Sequence, residues 1–447
     1  MSKQKIKISI PAQTFDVEVY IPDGPVVVDP PDPGTVTPSG LIGTNCFPWS
    51  PLEKLKGFNL RCYIDTAWIW REKGLYINPM FRGKAQTAFG MMDEYFNMAA
   101  AFGIDVLPCV NMIPLWYNGK GDSTGSASNH FPPIKNGRSR IDPGSYADYA
   151  EFWAQFVMRY GTRTFSDNLR VDTTPRWTGD IPNVPRSGLG ALDLDKGGTR
   201  IKYVEINNEV DIWWKRGGNE DAAYMKAEEH VAQLIAVYRA IRKVSDIKVV
   251  MAGLTGLDLT YLKAMFSYAE KTYPGEKFTD VINVHYYTNI GNEYAKHPPT
   301  WVVGGACYPE KDKGFSYLKE IVKFGKEKGL PVWLSEFGAD TKPESWMHIK
   351  GDGISDEQAQ AELITRTFKM CAEYGVERAY VFTANDEGGG TGLWQRCGLM
   401  TSEATGYQPK PSYNAVLKLI EETGKRKGQK RFISKPEQSD NYSFKVH

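Results

Sequence analysis

Two glutamates follow short apolar segments that have the composition of β-strands. Glu209 comes after the run YVEI and the pair Asn207-Asn208, and Glu336 follows Ser335 after the run VWL. Two carboxyl groups in one site can cleave an acetal, because one protonates the leaving oxygen while the other acts at the oxocarbenium-like carbon. Glu209 and Glu336 are therefore the first candidates for catalysis.

The segments that carry these glutamates belong to a repeating pattern that begins at Leu41. Short apolar runs alternate with longer stretches of helical periodicity, as in a parallel sheet with helical crossovers. Eight runs are predicted as strands: residues 41–46, 59–64, 104–110, 203–206, 247–252, 281–285, 332–335 and 379–383. Eight βα units in one domain predict an α/β protein with a closed (β/α)8 TIM barrel. A doubly wound open sheet is the alternative.

Helix signals separate most of these strands. Between the fourth and fifth strands, apolar residues recur at helical spacing from Val231 onward. Before the eighth strand, Ser355 and Gln358 form a capping box, and Gly375 is expected to end the helix. Only a short helix, near residues 51–56, is predicted between the first and second strands.

Three regions are predicted along the chain. Residues 1–40 are expected to form a short β-hairpin and a linker rich in Pro and Gly, and residues 41–422 the catalytic barrel. Residues 423–447 form a basic tail that contains KRKGQKR, for which a solvated segment is favoured over a nucleic-acid contact. The final NYSFKVH is a candidate strand beside the hairpin.

Composition favours an uncharged ligand. The 54 Lys and Arg nearly cancel the 53 Asp and Glu, so neither nucleic acid nor an anionic membrane is expected as a partner. No run approaches the roughly 18 apolar residues of a membrane span, and no signal-peptide core follows the N-terminus. A soluble monomer is expected, extracellular or periplasmic if an export signal was removed and cytoplasmic otherwise.

No cofactor is predicted. The six His have no HxxxH spacing, so a catalytic metal is not expected. The six Cys lack a CxxC pair and are interpreted as buried free thiols.

The strand-end motifs together resemble those of the clan A retaining glycoside hydrolases, which include cellulases, mannanases, xylanases and β-xylosidases. The resemblance covers about residues 41–420. It is carried by Asn208-Glu209, Ser335-Glu336-Phe337-Gly338, His285-Tyr286-Tyr287, Gly43-Thr44-Asn45, Arg61 and Lys410-Pro411-Ser412-Tyr413. It implies that Glu209 is the acid/base, Glu336 the nucleophile and Asn208 a donor to the substrate 2-hydroxyl.

These roles require Glu209 to carry a proton and Glu336 to stay ionised. Arg61 and Tyr287 are expected to stabilise the Glu336 carboxylate, since a cation and a phenol donor both favour the charged form. A structural ion pair in the barrel is an equally open interpretation of Arg61. His285 is expected to bind substrate or orient Glu209, with a satisfied barrel histidine as the alternative.

Tryptophans are concentrated beyond the predicted strand ends. Those that fall there are Trp49, Trp68, Trp70, Trp116, Trp213, Trp214, Trp346 and Trp394. Large rings often cap a core, but this position favours stacking on sugar, and we expect about half of them to line a cleft. Trp116, Trp214 and Trp394 are the chosen substrate-binding candidates. Two long loops, near residues 112–145 and 162–199, are predicted to wall the cleft.

The predicted function is hydrolysis of β-glycosidic bonds in an oligo- or polysaccharide by a retaining mechanism. Many clan members have Trp at the end of strand eight, where this chain has Phe382-Thr383-Ala384. Trp394 is a candidate to fill that place, and the sugar and linkage stay open. A carbohydrate-binding barrel without hydrolysis, a transglycosylase and an unrelated barrel enzyme such as a lyase are the alternatives.

Overall fold

A computed structural model defines the fold. It describes residues 2–10, 13–21, 40–66, 77–81, 84–114, 117, 126–127, 132–135, 137–161, 201–212, 224–290, 305–387 and 394–425. Backbone contacts divide the chain into two compact units, Met1–Val36 and Thr37–His447. The predicted linker between residues 23 and 39 and most of the basic tail lie outside the described residues.

The smaller unit contains one antiparallel hairpin. Strands β1 (Ser2–Ile10) and β2 (Gln13–Ile21) pair along their whole length. Apolar residues alternate with polar or charged ones from Ile6 to Ile10 in β1 and from Phe15 to Val19 in β2, so each of these stretches has one apolar face.

The larger unit is built from strands that mostly run parallel. In chain order these are β3 (Ile42–Cys46), β4 (Asn59–Asp65), β5 (Ile77–Phe81), β6 (Lys84–Thr87), β7 (Val106–Pro114), β8 (Ser126–Ala127), β9 (Tyr203–Ile206), β10 (Lys248–Met251), β11 (Ile282–His285), β12 (Val332–Phe337) and β13 (Arg378–Val381). The pair β5 and β6 forms its own hairpin, and β8 pairs antiparallel with the end of β7. The remaining eight strands form the barrel.

Every barrel strand lies beside its neighbour in the chain. The order around the barrel is β3, β4, β7, β9, β10, β11, β12 and β13, and β13 then pairs with β3. Between β10 and β11 the contact consists of two parallel bridges, Val250 to Val281 and Leu254 to Val284. The predicted (β/α)8 barrel is therefore confirmed, and the open doubly wound alternative is wrong.

Helices cover the outside of the barrel. They are α1 (Ala88–Ala101), α2 (Ala147–Tyr160), α3 (Ala227–Arg242), α4 (Leu259–Thr272), α5 (Leu318–Glu327), α6 (Asp356–Tyr374) and α7 (Pro411–Lys425). The first connection contains a 3-10 turn, Leu52–Lys54, where the sequence predicts a short helix. Helix α7 continues three residues past the predicted end of the barrel at residue 422.

The predicted helix signals act as expected in α6 and α3. Ser355 and Gln358 cap the start of α6 reciprocally, and Gly375 ends it in the left-handed region at φ 87°. In α3 the stripe that begins at Val231 is buried against the barrel, apart from the partly exposed Tyr238. These local signals determine where the crossovers begin and end.

The interior of the barrel changes character along its axis. Near the amino ends of the strands it is filled by Leu107, Val250, Val281, Trp333 and Tyr380. Near the carboxyl ends it is lined by buried polar side chains: Asn45, Arg61, Glu205, Asn283, His285 and Ser335. Burying polar groups costs free energy unless hydrogen bonds compensate it. A polar cluster at the carboxyl end of the barrel therefore marks this end as the place to look for a functional site.

All six cysteines are free and buried, as the sequence predicts. None of the helices in the described part of the chain combines the length and hydropathy that a bilayer crossing requires.

Candidate active site

Glu209 and Glu336 meet at the carboxyl end of the barrel. Glu209 lies three residues beyond the end of β9. Glu336 is the second-last residue of β12. His285, the last residue of β11, lies between them, with Nδ1 3.0 Å from Glu209 Oε1 and Nε2 3.6 Å from Glu336 Oε1. One carboxylate oxygen of each glutamate and one ring nitrogen of His285 all lie within 4.8 Å of one another.

Arg61 links this pair to the barrel interior. Its side chain is fully buried, and Nη1 donates to Glu336 Oε1 at 2.7 Å. Nε and Nη2 form a two-pronged ion pair with Glu205 at 2.6 and 2.8 Å, and Nη2 also donates to Asn208 Oδ1 at 2.6 Å. Such charge-assisted bonds fix the guanidinium geometrically. Arg61 therefore forms a structural ion pair with Glu205 and also contacts Glu336 directly.

Glu336 is held as a carboxylate. Tyr287 donates to Oε2 at 2.9 Å, and Tyr63 and Arg61 both donate to Oε1. Burial alone would raise the pKa of Glu336, but the charges of His285 and Arg61 and the hydrogen bonds from Tyr63 and Arg61 outweigh it. The pKa of Glu336 consequently lies below its ordinary value. This favours the ionised carboxylate, the form that a nucleophile needs.

Tyr63 was not identified from the sequence. It lies two residues after Arg61 in β4, so both side chains point into the barrel. Arg61 Nη1 donates to the Tyr63 oxygen at 2.7 Å, and the hydroxyl donates on to Glu336. The period-two pattern of Arg61-Cys62-Tyr63 is the signal that indicates it.

Asn45 and Ser335 support the same cluster from neighbouring strands. The Asn45 side chain accepts from Arg61 Nη1 at 2.9 Å and donates to the Ser335 carbonyl at 3.0 Å. The Ser335 hydroxyl is 3.0 Å from His285 Nε2. Both ring nitrogens of His285 therefore have defined neighbours, which fixes the orientation of the ring.

Glu209 occupies a different environment from Glu336. Its side chain is 23% exposed, against 8% for Glu336. Its backbone adopts the left-handed region at φ 46°, and Asn207 does so at φ 72°. Such residues cost on the order of 1–3 kcal/mol each and persist where the surroundings hold them. The turn that presents Glu209 is thus strained, and its amide donates to the Gly253 carbonyl at 3.0 Å.

Aromatic rings surround Glu336 on one side. The half-buried Trp394 ring lies 4.8 Å from Tyr287, 5.6 Å from Trp346 and 5.8 Å from Phe382 at the end of β13. Trp394 thus stands beside the strand-eight position and against a tyrosine that contacts Glu336. Trp116 and Trp214 lie outside the described residues, as do Trp68, Trp70 and Trp213.

A second group of rings leads from Glu336 toward the surface. Phe47 stacks on Tyr63 with ring centroids 5.4 Å apart, and Trp49 stacks on Phe47 at 5.1 Å with nearly parallel planes. Trp49 is 43% exposed. The two aromatic groups give the site flat, uncharged surfaces suited to the faces of sugar rings.

Comparison with known proteins finds solved structures of similar fold. No family model and no curated protein matches the chain. Among solved structures, the endo-β-1,4-mannanase of Thermotoga petrophila is 14% identical with a TM-score of 0.51, over 88% of this chain and 78% of that one. A glucosidase from Croceicoccus marinus is 12% identical with a TM-score of 0.50, over 86% and 66%.

A family 39 glycoside hydrolase from Bacteroides cellulosilyticus WH2 is 16% identical over 93% of this chain and 69% of that one, with a TM-score of 0.49. At such identities the similarity establishes the fold alone. The chain is a (β/α)8-barrel protein whose fold resembles that of glycoside hydrolases.

Proposed function

We propose that the protein is a retaining glycoside hydrolase that cleaves β-linked oligo- or polysaccharides. The observation that carries this proposal is the short distance between Glu209 and Glu336. One carboxylate oxygen of Glu209 lies within 4.8 Å of one of Glu336. Retaining enzymes hold their two carboxyl groups about 5 to 5.5 Å apart, whereas inverting enzymes leave roughly 6.5 to 9.5 Å for a water molecule. The short separation favours direct attack by one carboxylate.

In the first step Glu336 attacks the anomeric carbon and forms a covalent ester. The bond to the leaving oxygen breaks at the same time, and Glu209 gives its proton to that oxygen. In the second step Glu209 takes a proton from water, the water oxygen bonds to the anomeric carbon, and Glu336 leaves as a carboxylate. Two inversions at one carbon give net retention.

The neighbouring side chains fit these steps. Arg61, Tyr63 and Tyr287 stabilise the charge that Glu336 bears before attack and regains at the end. Asn208 accepts from Arg61 through its oxygen, so its amide nitrogen is the atom that can donate to a substrate hydroxyl. A divalent cation would also suit two carboxylates and an imidazole, but the guanidinium of Arg61 already supplies the positive charge beside Glu336.

A neutral, extended substrate fits the surface chemistry. The chain is nearly neutral overall, and aromatic rings run from Glu336 to the exposed Trp49. Of the two solved structures that share the fold, one is named as an endo-β-1,4-mannanase and the other as a glucosidase, and both names support a sugar substrate. We propose that the protein acts as a monomer on such a glycan.

The proposal is tested with aryl β-glycosides and polysaccharides, using release of phenol or reducing ends as the measurement. Glu336→Gln and Glu209→Gln should each lose at least about a hundredfold in turnover on an unactivated glycoside. Near-normal turnover by either variant would contradict the assignment. Binding without release of reducing ends would favour a recognition module, and products longer than the substrate would favour transglycosylation.

Retention itself needs a separate measurement. Proton NMR of the first product should show the same anomeric configuration as the substrate. The opposite anomer would reject the double displacement and indicate an inverting enzyme.

A further inference from the structure

The turn formed by residues 253–255, here the bracket turn, follows β10 and contacts the segment that carries Glu209. The Glu209 amide donates to the Gly253 carbonyl at 3.0 Å. Two residues later, Asp211 accepts twice from Thr255, from its amide at 2.9 Å and from its hydroxyl at 3.1 Å. The segment from residue 209 to 211 is therefore fastened to the bracket turn at both ends.

The bracket turn also holds the histidine that contacts Glu209. The His285 amide donates to the Leu254 carbonyl at 2.7 Å. A Cβ atom at Gly253 would lie 2.0 Å from His285 Nε2, so only glycine lets the ring occupy its place. The Gly253 amide donates to Glu205 Oε1 at 3.1 Å. One turn thus sets the backbone of Glu209 and the ring that binds its carboxyl group.

Asp211 is the side chain that joins this turn to the catalytic segment. Asp211 and Thr255 are each only 3% exposed, so the two hydrogen bonds between them are shielded from water. Loss of the carboxyl group leaves the buried Thr255 amide without this acceptor, which is costly enough to shift the turn. The left-handed backbone of Glu209 depends on such restraints.

We infer that Asp211 is a positioning residue that holds the proton donor Glu209 in place through the bracket turn. This inference rests on the proposed function. Asp211 need not touch the substrate, because its effect passes through Thr255, Gly253 and His285. Its contribution should therefore be large only where the leaving group needs a proton from Glu209.

The test compares two glycosides of one sugar, a 2,4-dinitrophenyl glycoside and a phenyl glycoside. Asp211→Ala should lower kcat/KM about a hundredfold on the phenyl glycoside, because a displaced acid loses most of its contribution. On the dinitrophenyl glycoside, whose leaving group needs no proton, the loss should stay within about threefold. Equal losses on both substrates would overturn the inference.

Asp211→Asn is the conservative variant. Its carbonyl can accept from the Thr255 amide and its amide can donate to the Thr255 hydroxyl, so the bracket survives. Activity on the phenyl glycoside should return to within about fivefold of the wild type. Failure of this rescue, with Asp211→Asn as poor as Asp211→Ala, would contradict a positioning role.

Asp280→Ala is the matched control. Asp280 also accepts from a backbone amide, that of Val249 at 2.9 Å, and pairs with Arg242 at 2.5 Å, but it precedes β11 at the opposite end of the barrel. This variant should lower the melting temperature and leave the ratio of the two kcat/KM values unchanged. A changed ratio would show that general loosening produces the effect and would overturn the inference.

A crystal structure of Asp211→Ala tests the inference without reference to activity. The contact between Glu209 Oε1 and His285 Nδ1, 3.0 Å in the wild type, should be lost while the eight strands stay in place. An unmoved Glu209 would overturn the inference. Failure of the wild type to cleave any glycoside would instead count against the proposed function, and the geometry of the variant would still decide on Asp211.

Discussion

The two ends of the barrel each contain an arginine, fully buried at the carboxyl end and partly exposed at the amino end, and the two arginines have different surroundings. At the carboxyl end, Arg61 forms short hydrogen bonds with Glu205 and Glu336. At the amino end, Arg378 in β13 lies over the rings of Tyr203 and Trp333, 4.5 and 5.0 Å from their centroids. Its ion pair with the partly exposed Asp105 spans 3.4 Å.

The difference distinguishes an arginine that holds charged groups in place, Arg61, from one that mainly packs against aromatic rings, Arg378. Removing one partner of a fully buried ion pair typically costs 3–5 kcal/mol, since it leaves an uncompensated charge. A cation over aromatic rings contributes roughly 0.5–2 kcal/mol. Arg61 therefore helps to keep Glu336 ionised, as the proposed reaction requires, while Arg378 mainly closes the amino end of the barrel.

The largest effect is expected at Arg61. Arg61→Lys keeps the charge and so favours folding, but one ammonium group cannot span Glu205, Asn208 and Glu336 as the planar guanidinium does. We expect kcat/KM to fall by on the order of a thousandfold, as for loss of strong electrostatic stabilisation. The acid limb of the pH profile should move upward, because Arg61 helps to lower the pKa of Glu336. A loss below tenfold would remove the contrast between the two ends.

A smaller effect is expected at Tyr63. Tyr63→Phe removes one hydrogen bond to Glu336 and leaves those from Arg61 and Tyr287. Loss of a hydrogen bond to a charged group, worth about 1.5–3 kcal/mol, predicts a ten- to hundredfold decrease in kcat/KM. Tyr380→Phe, at the amino end of the barrel, is the matched control and should stay within about twofold of wild-type activity. Similar losses in both variants would reject the assignment of Tyr63.

The pH dependence of stability should have opposite signs at the two ends. Burial, with the charges of Asp258 and Glu209, raises the pKa of Asp211 to about 7 although the Thr255 amide opposes it. The folded state then binds a proton that the unfolded state has lost, so this contribution falls as pH rises from about 4 to about 7. Its slope approaches ~1.4 kcal/mol per pH unit and vanishes above that window. Tyr261 also faces Asp211.

Asp105 should behave in the reverse way. Burial would raise its pKa, but the hydrogen bond and charge of Lys202 and the charge of Arg378 lower it. Its contribution is present above the unfolded value near 4 and is lost as pH falls through the lowered pKa. Urea unfolding of Asp211→Asn, Asp105→Asn and wild type from pH 3 to pH 8 measures both terms. Parallel curves for either variant and the wild type would contradict the corresponding sign.

The smallest effect on activity is expected at Arg378. Arg378→Met keeps a long apolar side chain over Tyr203 and Trp333 and loses the cation. The free energy of unfolding should fall by about 1–2 kcal/mol, and kcat/KM should stay within about twofold. A tenfold loss of kcat/KM in a folded variant would show that the amino end also controls the site.

Much of the fold follows from local sequence patterns. The eight predicted strands match those of the barrel, and the capping box of α6 begins the helix where expected. The third strand runs to Pro114, four residues past its predicted end, because β8 pairs with it there. Residues 111–114 read Asn-Met-Ile-Pro, and the asparagine and the proline favour a loop over a continued strand. Pairing with another segment overrides that preference.

The sequence by itself determined the barrel, the caps and the identity of the strand-end residues, including Glu209 and Glu336. These depend on periodicity and on neighbours a few positions away. Only the tertiary structure decided that Arg61 bridges Glu205 and Glu336, which lie 144 and 275 positions from it in the chain. It also decided the left-handed turn at Glu209 and its attachment to the bracket turn. Such contacts depend on how the strands close around the barrel, which no local pattern encodes.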